Sequence, residues 1–222
     1  MGFIVTTVAA RRDVIIQPAT SRRHKRHRPA IAWRCRAGLA KLAGVTQEAP
    51  HYAHLAIRAI QPDDAAQLEA AFEHWSSSSR HLRFHSGLRR LPASLLHYLT
   101  HVDGVDHVAL VAFDEPPGEP PVGVGIGRFV RLPDAPDTAE LALAVSDEAQ
   151  GHGVAGQLTA ALAEAAAERG IQKFAMEVLR ENTRARELLS GLGAQVISQD
   201  LDVLSYALPV ASVTAQASAR GR

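Results

Sequence analysis

The segment that most constrains the fold of this chain covers residues 145–156, with the sequence VSDEAQGHGVAG. It closes an apolar stretch typical of a strand, turns on the closely spaced Gly151 and Gly153, and opens an alanine-rich amphipathic helix. Glycines let several backbone N–H groups point at one ligand, and the positive end of a helix dipole attracts phosphate oxygens. The pattern therefore predicts an anion-binding loop between a strand and a helix.

Two familiar nucleotide-binding loops do not match this segment. A P-loop requires Gly-Lys-Ser/Thr where the helix begins, and residues 153–157 read GVAGQ, without the lysine. A Rossmann dinucleotide loop is expected near the start of a domain, with an acidic ribose partner about 20 residues later. This loop lies in the last third of the chain, so neither assignment is favoured.

Apolar periodicity and turn residues predict the elements around the loop. Strand patterns cover residues 55–60, 107–113, 122–132, 139–145 and 173–179, and a hairpin covers 195–208 with its turn at 200–202. Helical patterns cover residues 65–75 and 92–101, the segment after the glycine turn, and a short segment that Gly193 ends. Turns are expected at 114–121 and 132–137, and the small, polar residues after Pro209 are expected to form a frayed tail.

The spacing Gln-x-x-Gly-x-Ala at Gln150, Gly153 and Ala155, between a strand and a helix, resembles the acyl-CoA pyrophosphate loop of the GNAT acetyltransferase superfamily. The resemblance continues through an Asn-x-x-Ala step at Asn182 and a Leu-Gly step at Gly193. It implies an α+β (mixed α/β) GNAT fold. In that fold a central mixed, mostly antiparallel sheet of six to seven strands is flanked by about four helices.

The same resemblance implies acetyl-CoA as co-substrate and no metal. A backbone N–H of the strand before the loop supplies an oxyanion donor in this superfamily, and Val145 occupies that position. Asn182 is expected to contact the pantetheine, although asparagine before a helix is equally a good N-cap. The residues expected to bind the cofactor are Leu143, Ala144, Val145, Gln150, Gly151, His152, Gly153, Val154, Ala155, Gly156 and Asn182.

A second resemblance lies upstream, in SSSSRHLRF at residues 76–84 and LTHVDGVDHVAL at residues 99–110. Both stretches resemble the acetyltransferase domain of bacterial Pat-type protein lysine acetyltransferases, which acetylate acetyl-CoA synthetase and related acyl-CoA ligases. The resemblance implies an acetyl-CoA-dependent N-acetyltransferase that acts on a protein lysine by direct attack, with an acyl-CoA ligase as one candidate partner. Two alternatives stay open: a small-molecule amine acetyltransferase, and a catalytically weak acyl-CoA-binding regulatory module.

Pat-type enzymes usually carry an attached regulatory domain. The 222 residues of this chain leave no room for one, so the allosteric behaviour of the family is not expected here.

An amine acceptor has a pKa near 10, so it must lose a proton before it attacks a thioester. Glu140 is the candidate base, because it lies five positions before Val145, where many GNAT members place an acid. An exposed glutamate at the start of a strand is the alternative interpretation, and Glu177 on the next strand is the reserve base. Many GNAT enzymes place a tyrosine acid at the position of Leu189, so that acid is missing here.

The histidines are open to two interpretations. His152 either pairs with a phosphate or is a solvated loop residue. The pairs His81/His85 and His97/His101 have the i, i+4 spacing of metal ligands on a helix. Since no third ligand is evident, surface positions are favoured for both pairs.

Charge divides the chain into a basic arm and an acidic domain. Residues 1–48 hold ten Lys or Arg against two acids, a net charge of +8, and the remainder carries −7. This composition predicts a disordered extension over residues 1–50 and a disordered tail over 210–222, and the resemblance implies a GNAT domain over 51–209. An arm that presents Lys25 as an electrostatic pseudosubstrate is the alternative. Aromatic residues are sparse beside the basic ones, which argues against nucleic acid as a partner.

The single cysteine, Cys35, excludes an intramolecular disulfide framework and suits a reducing compartment. Because it lies in the basic arm, an acyl-cysteine intermediate is not expected. No apolar run approaches 18 residues, so no membrane contact is expected, and residues 1–10 lack the basic start of a secretory signal. The protein is therefore expected in the cytoplasm.

Overall fold

The computed structural model describes residues 3–5, 52, 54–74 and 90–220. Within these ranges it contains eight strands, five α-helices and a short 3₁₀ turn at Pro62–Asp64. The strands are β1 (Phe3–Val5), β2 (Leu55–Ala59), β3 (His107–Asp114), β4 (Val122–Leu132), β5 (Ala135–Val145), β6 (Lys173–Leu179), β7 (Gln195–Asp200) and β8 (Val203–Pro209). The helices are α1 (Ala65–His74), α2 (Ala93–Thr100), α3 (Val154–Ala167), α4 (Thr183–Gly191) and α5 (Val210–Arg220).

The strands form one mixed sheet in the order β2-β3-β4-β5-β6-β8-β7. Neighbours on this path are antiparallel except β5 and β6, which run parallel and pair only over residues 138–140. The predicted α+β class and the mostly antiparallel sheet are confirmed. The described part of the chain adds one strand, β1, which pairs with β5, and one helix beyond the expected four.

Strand β5 is buried on both faces, and its alternate side chains have different surroundings. Leu141, Leu143 and Val145 join the main hydrophobic core, which includes the apolar side of α3. Glu140 and Ala144 point to the opposite face, because successive residues of a strand alternate. On that face, α1 packs over an apolar patch of β3. The sheet thus separates an apolar α3 side from an α1 side that carries an acid.

Two glycines in β4 let α3 lie close to the sheet. A Cβ on Gly127 would sit 2.7 Å from Cδ2 of Leu143 and 2.7 Å from Cδ1 of Leu162. A Cβ on Gly125 would sit 3.0 Å from Cδ1 of Leu158. The glycine-interrupted strand predicted here is confirmed, and close helix packing explains the interruptions.

The predicted turn at 132–137 is longer than the turn in the structure. Strand β4 ends at Leu132 and β5 begins at Ala135, so only two residues separate the strands. A bulge between Arg131 and Leu132 accompanies this tight connection. The Arg131 side chain spans this connection, because Nη1 donates to the Pro136 carbonyl while Nε donates to Asp106 Oδ1 at 2.6 Å.

The expected disordered tail over 210–222 is wrong for most of its length, because Val210–Arg220 forms α5. Val210 and Val213 are buried and belong to the main core, and α5 packs on α3. Pro209 ends β8 and directly precedes the helix, a position where proline is well tolerated. The prediction of a frayed tail relied on the small, polar residues after Pro209 and overlooked the helical spacing of the two valines.

The expected disorder over 1–50 is likewise wrong for Phe3–Val5, which forms β1. The rest of that arm, with Lys25 and Cys35, lies outside the described residues. The same holds for the resemblance stretch at 76–84 and for the pair His81/His85.

Candidate active site

The predicted anion-binding loop follows β5 directly and ends at α3. Gly151 and Gly153 have φ of 83° and 81°, in the left-handed region, and Gly153 is the N-cap of α3. A Cβ on either glycine would meet no atom of the described residues within 4 Å, so the left-handed backbone conformation is the reason for glycine here. The first amides of α3, from Val154 to Gly156, have no intrahelical acceptors. A glycine cap leaves these N–H groups available to an anion.

The side chain of Gln150 braces the loop from inside. Its Nε2 donates to the Val145 carbonyl at 3.3 Å and to Asp147 Oδ1 at 2.9 Å. Arg184 Nη1, from the first turn of α4, donates to Gln150 Oε1 at 2.7 Å. Sequence reasoning listed Gln150 among cofactor residues but missed Arg184, which brings a positive charge to the loop. A basic residue two positions after the predicted cap Asn182 was the available signal.

His152 is exposed on the loop and meets a residue that the sequence analysis missed. Its ring lies 5.4 Å from the ring of Tyr52, in an edge-to-face arrangement. Burial, and then the charges of Asp114 and Glu148, raise the pKa of the Tyr52 phenol above its usual value. Tyr52 therefore stays protonated at neutral pH beside the loop. No local sequence signal could reveal this contact, which joins residues 100 positions apart.

Glu140 is buried, with 7% of its surface exposed, on the α1 side of β5. The alternative interpretation of an exposed strand-start glutamate is therefore wrong. Glu140 pairs with Ala175 of β6, and Glu177 follows two residues later on the same face. The structure thus brings the candidate base and its reserve to neighbouring strands, at the point where β5 and β6 stop pairing.

A buried basic cluster lies on the same face as Glu140. Arg128 pairs in register with Ala142, which lies two residues after Glu140 on β5. Arg128 is 5% exposed. Its Nη1 donates to Nε2 of His107 at 3.2 Å, and its Nη2 donates to the Leu99 carbonyl at 3.4 Å. Burial, and then the Arg128 charge, lower the pKa of His107 to about 4. His107 is thus neutral at pH 7, with Nε2 as an acceptor. An arginine inside an apolar strand was a sequence signal that went unused.

An apolar pocket opens between α1 and the strands β3, β4 and β5. Leu68, Val111 and Ile126 form part of its wall, and it reaches Ala144 of β5 and Ser146, the residue after the strand, on the loop side of Glu140. Among the described residues that line it, Asp64 alone carries a charge.

Asp64 is held by Arg58, whose Nη1 and Nη2 donate to the two carboxylate oxygens at 2.7 Å each. These hydrogen bonds lower the pKa of Asp64 below its usual value. The pocket therefore offers an apolar wall with a charge that is already neutralised.

The model of the acetyltransferase (GNAT) family matches residues 68–194, which include the loop, Glu140 and Asn182. This chain belongs to the GNAT family. It is similar to Acetyltransferase Pat of Mycolicibacterium smegmatis, with 33% identity over 71% of this chain and 46% of that protein. The chain thus spans about half the length of this curated relative.

Two solved GNAT structures show the same architecture. The GNAT domain of S. lividans PAT is 33% identical, with a TM-score of 0.63, over 69% of this chain and 89% of that one. The spermidine N-acetyltransferase of Vibrio cholerae, in complex with CoA and spermine, is 16% identical, with a TM-score of 0.58. That likeness covers 72% of this chain and 98% of the Vibrio chain. The GNAT fold and the resemblance to Pat-type acetyltransferases are confirmed.

Helix α4 and its cap carry the residues of two further expectations from the GNAT resemblance, Asn182 and Leu189. The Asn182 side chain accepts a hydrogen bond from the Ala185 amide at 3.2 Å, which confirms its role as a helix cap. Its contact with pantetheine stays a prediction. Leu189 is fully buried in the main core, so this position supplies no proton donor.

The described residues offer no group of three His, Cys, Asp or Glu side chains suited to a metal. The rings of His97 and His101 stack 3.7 Å apart on α2 and its end. No described helix combines the length and apolar character of a membrane span.

Proposed function

We propose that this chain transfers an acetyl group from acetyl-CoA to a primary amine, most readily a protein lysine. The observation that carries the proposal is the continuity of β5 with the glycine loop. Glu140 lies on the strand, and the left-handed Gly151 and Gly153 lead from its end into α3. A phosphate-bearing ligand held by the α3 amides would extend along β5 towards Glu140.

The loop supports the proposal through charge as well as geometry. The α3 amides supply the positive end of a dipole, and Arg184 brings a full charge to Gln150. The structure of the Vibrio relative with CoA shows that a GNAT fold holds this class of cofactor. We assign Leu143, Ala144 and Val145 to the pantetheine and thioester end, where a β5 amide would stabilise the oxyanion.

The pocket between α1 and the sheet supports a lysine acceptor. A lysine stem consists of four methylene groups and packs well on an apolar wall while its amine reaches further. The pocket reaches Ala144 near the end of β5 and Ser146 just after it, so an amine at its floor would approach the strand between the loop and Glu140. Because Arg58 neutralises Asp64, this carboxylate would not trap the ammonium form.

In this mechanism Glu140, directly or through water, takes a proton from the ammonium group. The freed amine attacks the thioester carbonyl carbon, the C–S bond breaks, and the CoA thiolate leaves. The nitrogen, now part of the amide, gives up its extra proton to the departing thiolate or to water. The buried Leu189 side chain stands at the usual tyrosine position and carries no acidic group. The thiolate therefore departs without proton donation from that position. Glu177 is the second carboxylate that could accept the proton. The cytoplasm, where acetyl-CoA and acyl-CoA ligases meet, is the proposed location.

Measurement of CoA thiol release tests the function. Acetyl-CoA is offered with purified acyl-CoA ligases, with the same ligases after chemical acetylation of their lysines, and with spermidine-type amines. We expect release that depends on the untreated ligase and disappears with the blocked one. Release with small amines alone would favour the small-molecule alternative. No acceptor-dependent release would leave only the acyl-CoA-binding module.

A further inference from the structure

Strand β1 lies against the part of β5 that the proposed cofactor would need. Phe3 pairs with Val145, Ile4 with Ala144 and Val5 with Leu143, in antiparallel register. The β5 members of these pairs are the three residues assigned above to the pantetheine and thioester end. The chain's own N-terminal segment therefore meets the backbone positions proposed for acetyl-CoA.

The pairing of β5 locates β1 on one edge of that strand. A strand has two hydrogen-bonding edges, and β4 occupies one edge of β5 up to Val145. The other edge pairs with β6 only over residues 138–140. The pairs with β1 begin at Leu143, on the remainder of this edge, and β1 also contacts β6 and α4. Beyond Glu140, β1 thus takes the place between β5 and the diverging β6.

Beyond residue 140, the gap between the parallel strands β5 and β6 holds one further strand, β1. Paired strands lie roughly 4.8 Å apart, so a segment inserted between β5 and β6 needs about twice that separation. An extended ligand that leaves the glycine loop and runs along β5 towards Glu140 would need the same gap. The two occupants cannot share it.

We infer that residues 3–5 are an intramolecular competitor of acetyl-CoA, which closes the cofactor slot while β1 is docked and opens it on release. The inference rests on the proposed function, since it takes acetyl-CoA to follow β5. It differs from a Lys25 pseudosubstrate, which would occupy the acceptor side. A ladder of three residues is short, and a cofactor that gains phosphate contacts at the loop displaces it.

The competition predicts how cofactor affinity changes when β1 is removed. If β1 is docked nine-tenths of the time, the apparent Kd of acetyl-CoA is about tenfold above its intrinsic value. We compare calorimetric titrations of the full chain and of a chain that lacks residues 2–6. We expect acetyl-CoA to bind the shortened chain about tenfold more tightly, with α3 and the core retained in a thermal melt.

A second variant keeps the length of the segment. The double substitution Ile4→Pro and Val5→Pro removes two successive N–H groups, which face opposite edges of a strand, so one of them must face β5. This variant should bind acetyl-CoA as the shortened chain does. A peptide of residues 1–8, added to the shortened chain, should raise the apparent Kd in proportion to its concentration. The same peptide with both prolines should not.

Each outcome decides the inference. Equal affinities for the full, shortened and double-proline chains, within twofold, would overturn it and leave the proposed function intact. A peptide without effect on the shortened chain would also overturn it. Absence of acetyl-CoA binding in all three chains would instead refute the proposed function, and the competition with it.

Discussion

The two faces of β5 show how one strand serves two purposes. On the α3 side, Leu141, Leu143 and Val145 join the apolar core, and Gly125 and Gly127 of β4 let the helix approach. On the α1 side, the same strand carries Glu140, and its neighbour β4 carries Arg128. The α3 side fixes the loop in place by close packing, whereas the α1 side keeps charged groups beside a pocket. Stability and chemistry are thus assigned to opposite faces of a single strand.

This comparison predicts that changes on the two faces have different consequences. Changes on the α1 side should reduce turnover more than stability. Changes on the α3 side should reduce stability first. Glu140 and Gly127 lie on opposite sides and test that division directly. His107, also on the α1 side, tests how a buried titratable group affects stability.

Glu140→Gln should lower turnover by about 10²-fold or more, because an amide cannot accept the amine proton. Acetyl-CoA affinity should be retained, since the loop and the β5 backbone are unchanged. The defect should shrink at high pH, where the amine loses its proton unaided. Steady-state rates from pH 7 to pH 10 measure this effect.

Glu177→Gln is the matched control on β6, on the same face of the sheet. It should keep most of the activity. If instead Glu177→Gln is the slow variant and Glu140→Gln is not, the base belongs to β6.

Gly127→Ala should destabilise the protein by about 2 kcal/mol, since overpacking a well-filled core typically costs 1–3 kcal/mol. The added methyl would lie 2.7 Å from side-chain atoms of Leu143 and Leu162. Gly123→Ala is the control on the same strand, because its methyl would meet only Phe113 Cε1, at 3.7 Å. Urea unfolding of the two variants measures the difference. Equal stabilities would contradict the close packing of α3.

His107 should make the protein less stable in mild acid. An unfolded histidine takes up a proton near pH 6.5, whereas the folded residue does so only at about 4. Between these values the unfolded state binds more protons, so stability falls as pH falls. At pH 5.5 this loss is on the order of 1 kcal/mol relative to neutral pH.

His107→Gln keeps an acceptor for Arg128 and cannot titrate. Its loss of unfolding free energy between pH 7.5 and pH 5.5 should therefore be smaller than that of the parent chain. Identical losses would mean that His107 has its usual pKa in the folded protein and that the Arg128 charge does not lower it.

Local sequence patterns were enough to predict most of the fold. The order of strands and helices from β2 to β8 follows apolar periodicity and turn residues, which act over short distances. The predictions made from average composition were wrong at both ends of the chain, for residues 3–5 and 210–220. The basic composition of the arm concealed the apolar residues at 3–5, and the small, polar composition after Pro209 concealed α5.

The candidate site likewise contains features that local sequence predicts and features that it does not. The glycine loop and Glu140 are visible because their backbone and strand contexts are local. The contacts of Tyr52 with His152, of Arg184 with Gln150, and of Arg128 with His107 join distant positions. Such contacts depend on how the sheet brings strands and loops together, so a single sequence cannot reveal them.

Acetyl-CoA binding at the loop is the central claim, and one calorimetric comparison tests it most directly. Gly153→Asp places a negative charge at the start of α3, where phosphate oxygens would approach, in a backbone with φ of 81°. Gly118→Asp is the matched control: its φ is 85°, its added Cβ also lies more than 4 Å from every described neighbour, and it lies in the turn between β3 and β4. Both variants keep the N-terminal segment, so any competition from β1 affects them equally. We predict that Gly118→Asp binds acetyl-CoA like the parent chain and that Gly153→Asp binds at least about tenfold more weakly, a difference of about 1.4 kcal/mol. Equal affinity of the two variants would contradict the assignment of the loop to acetyl-CoA.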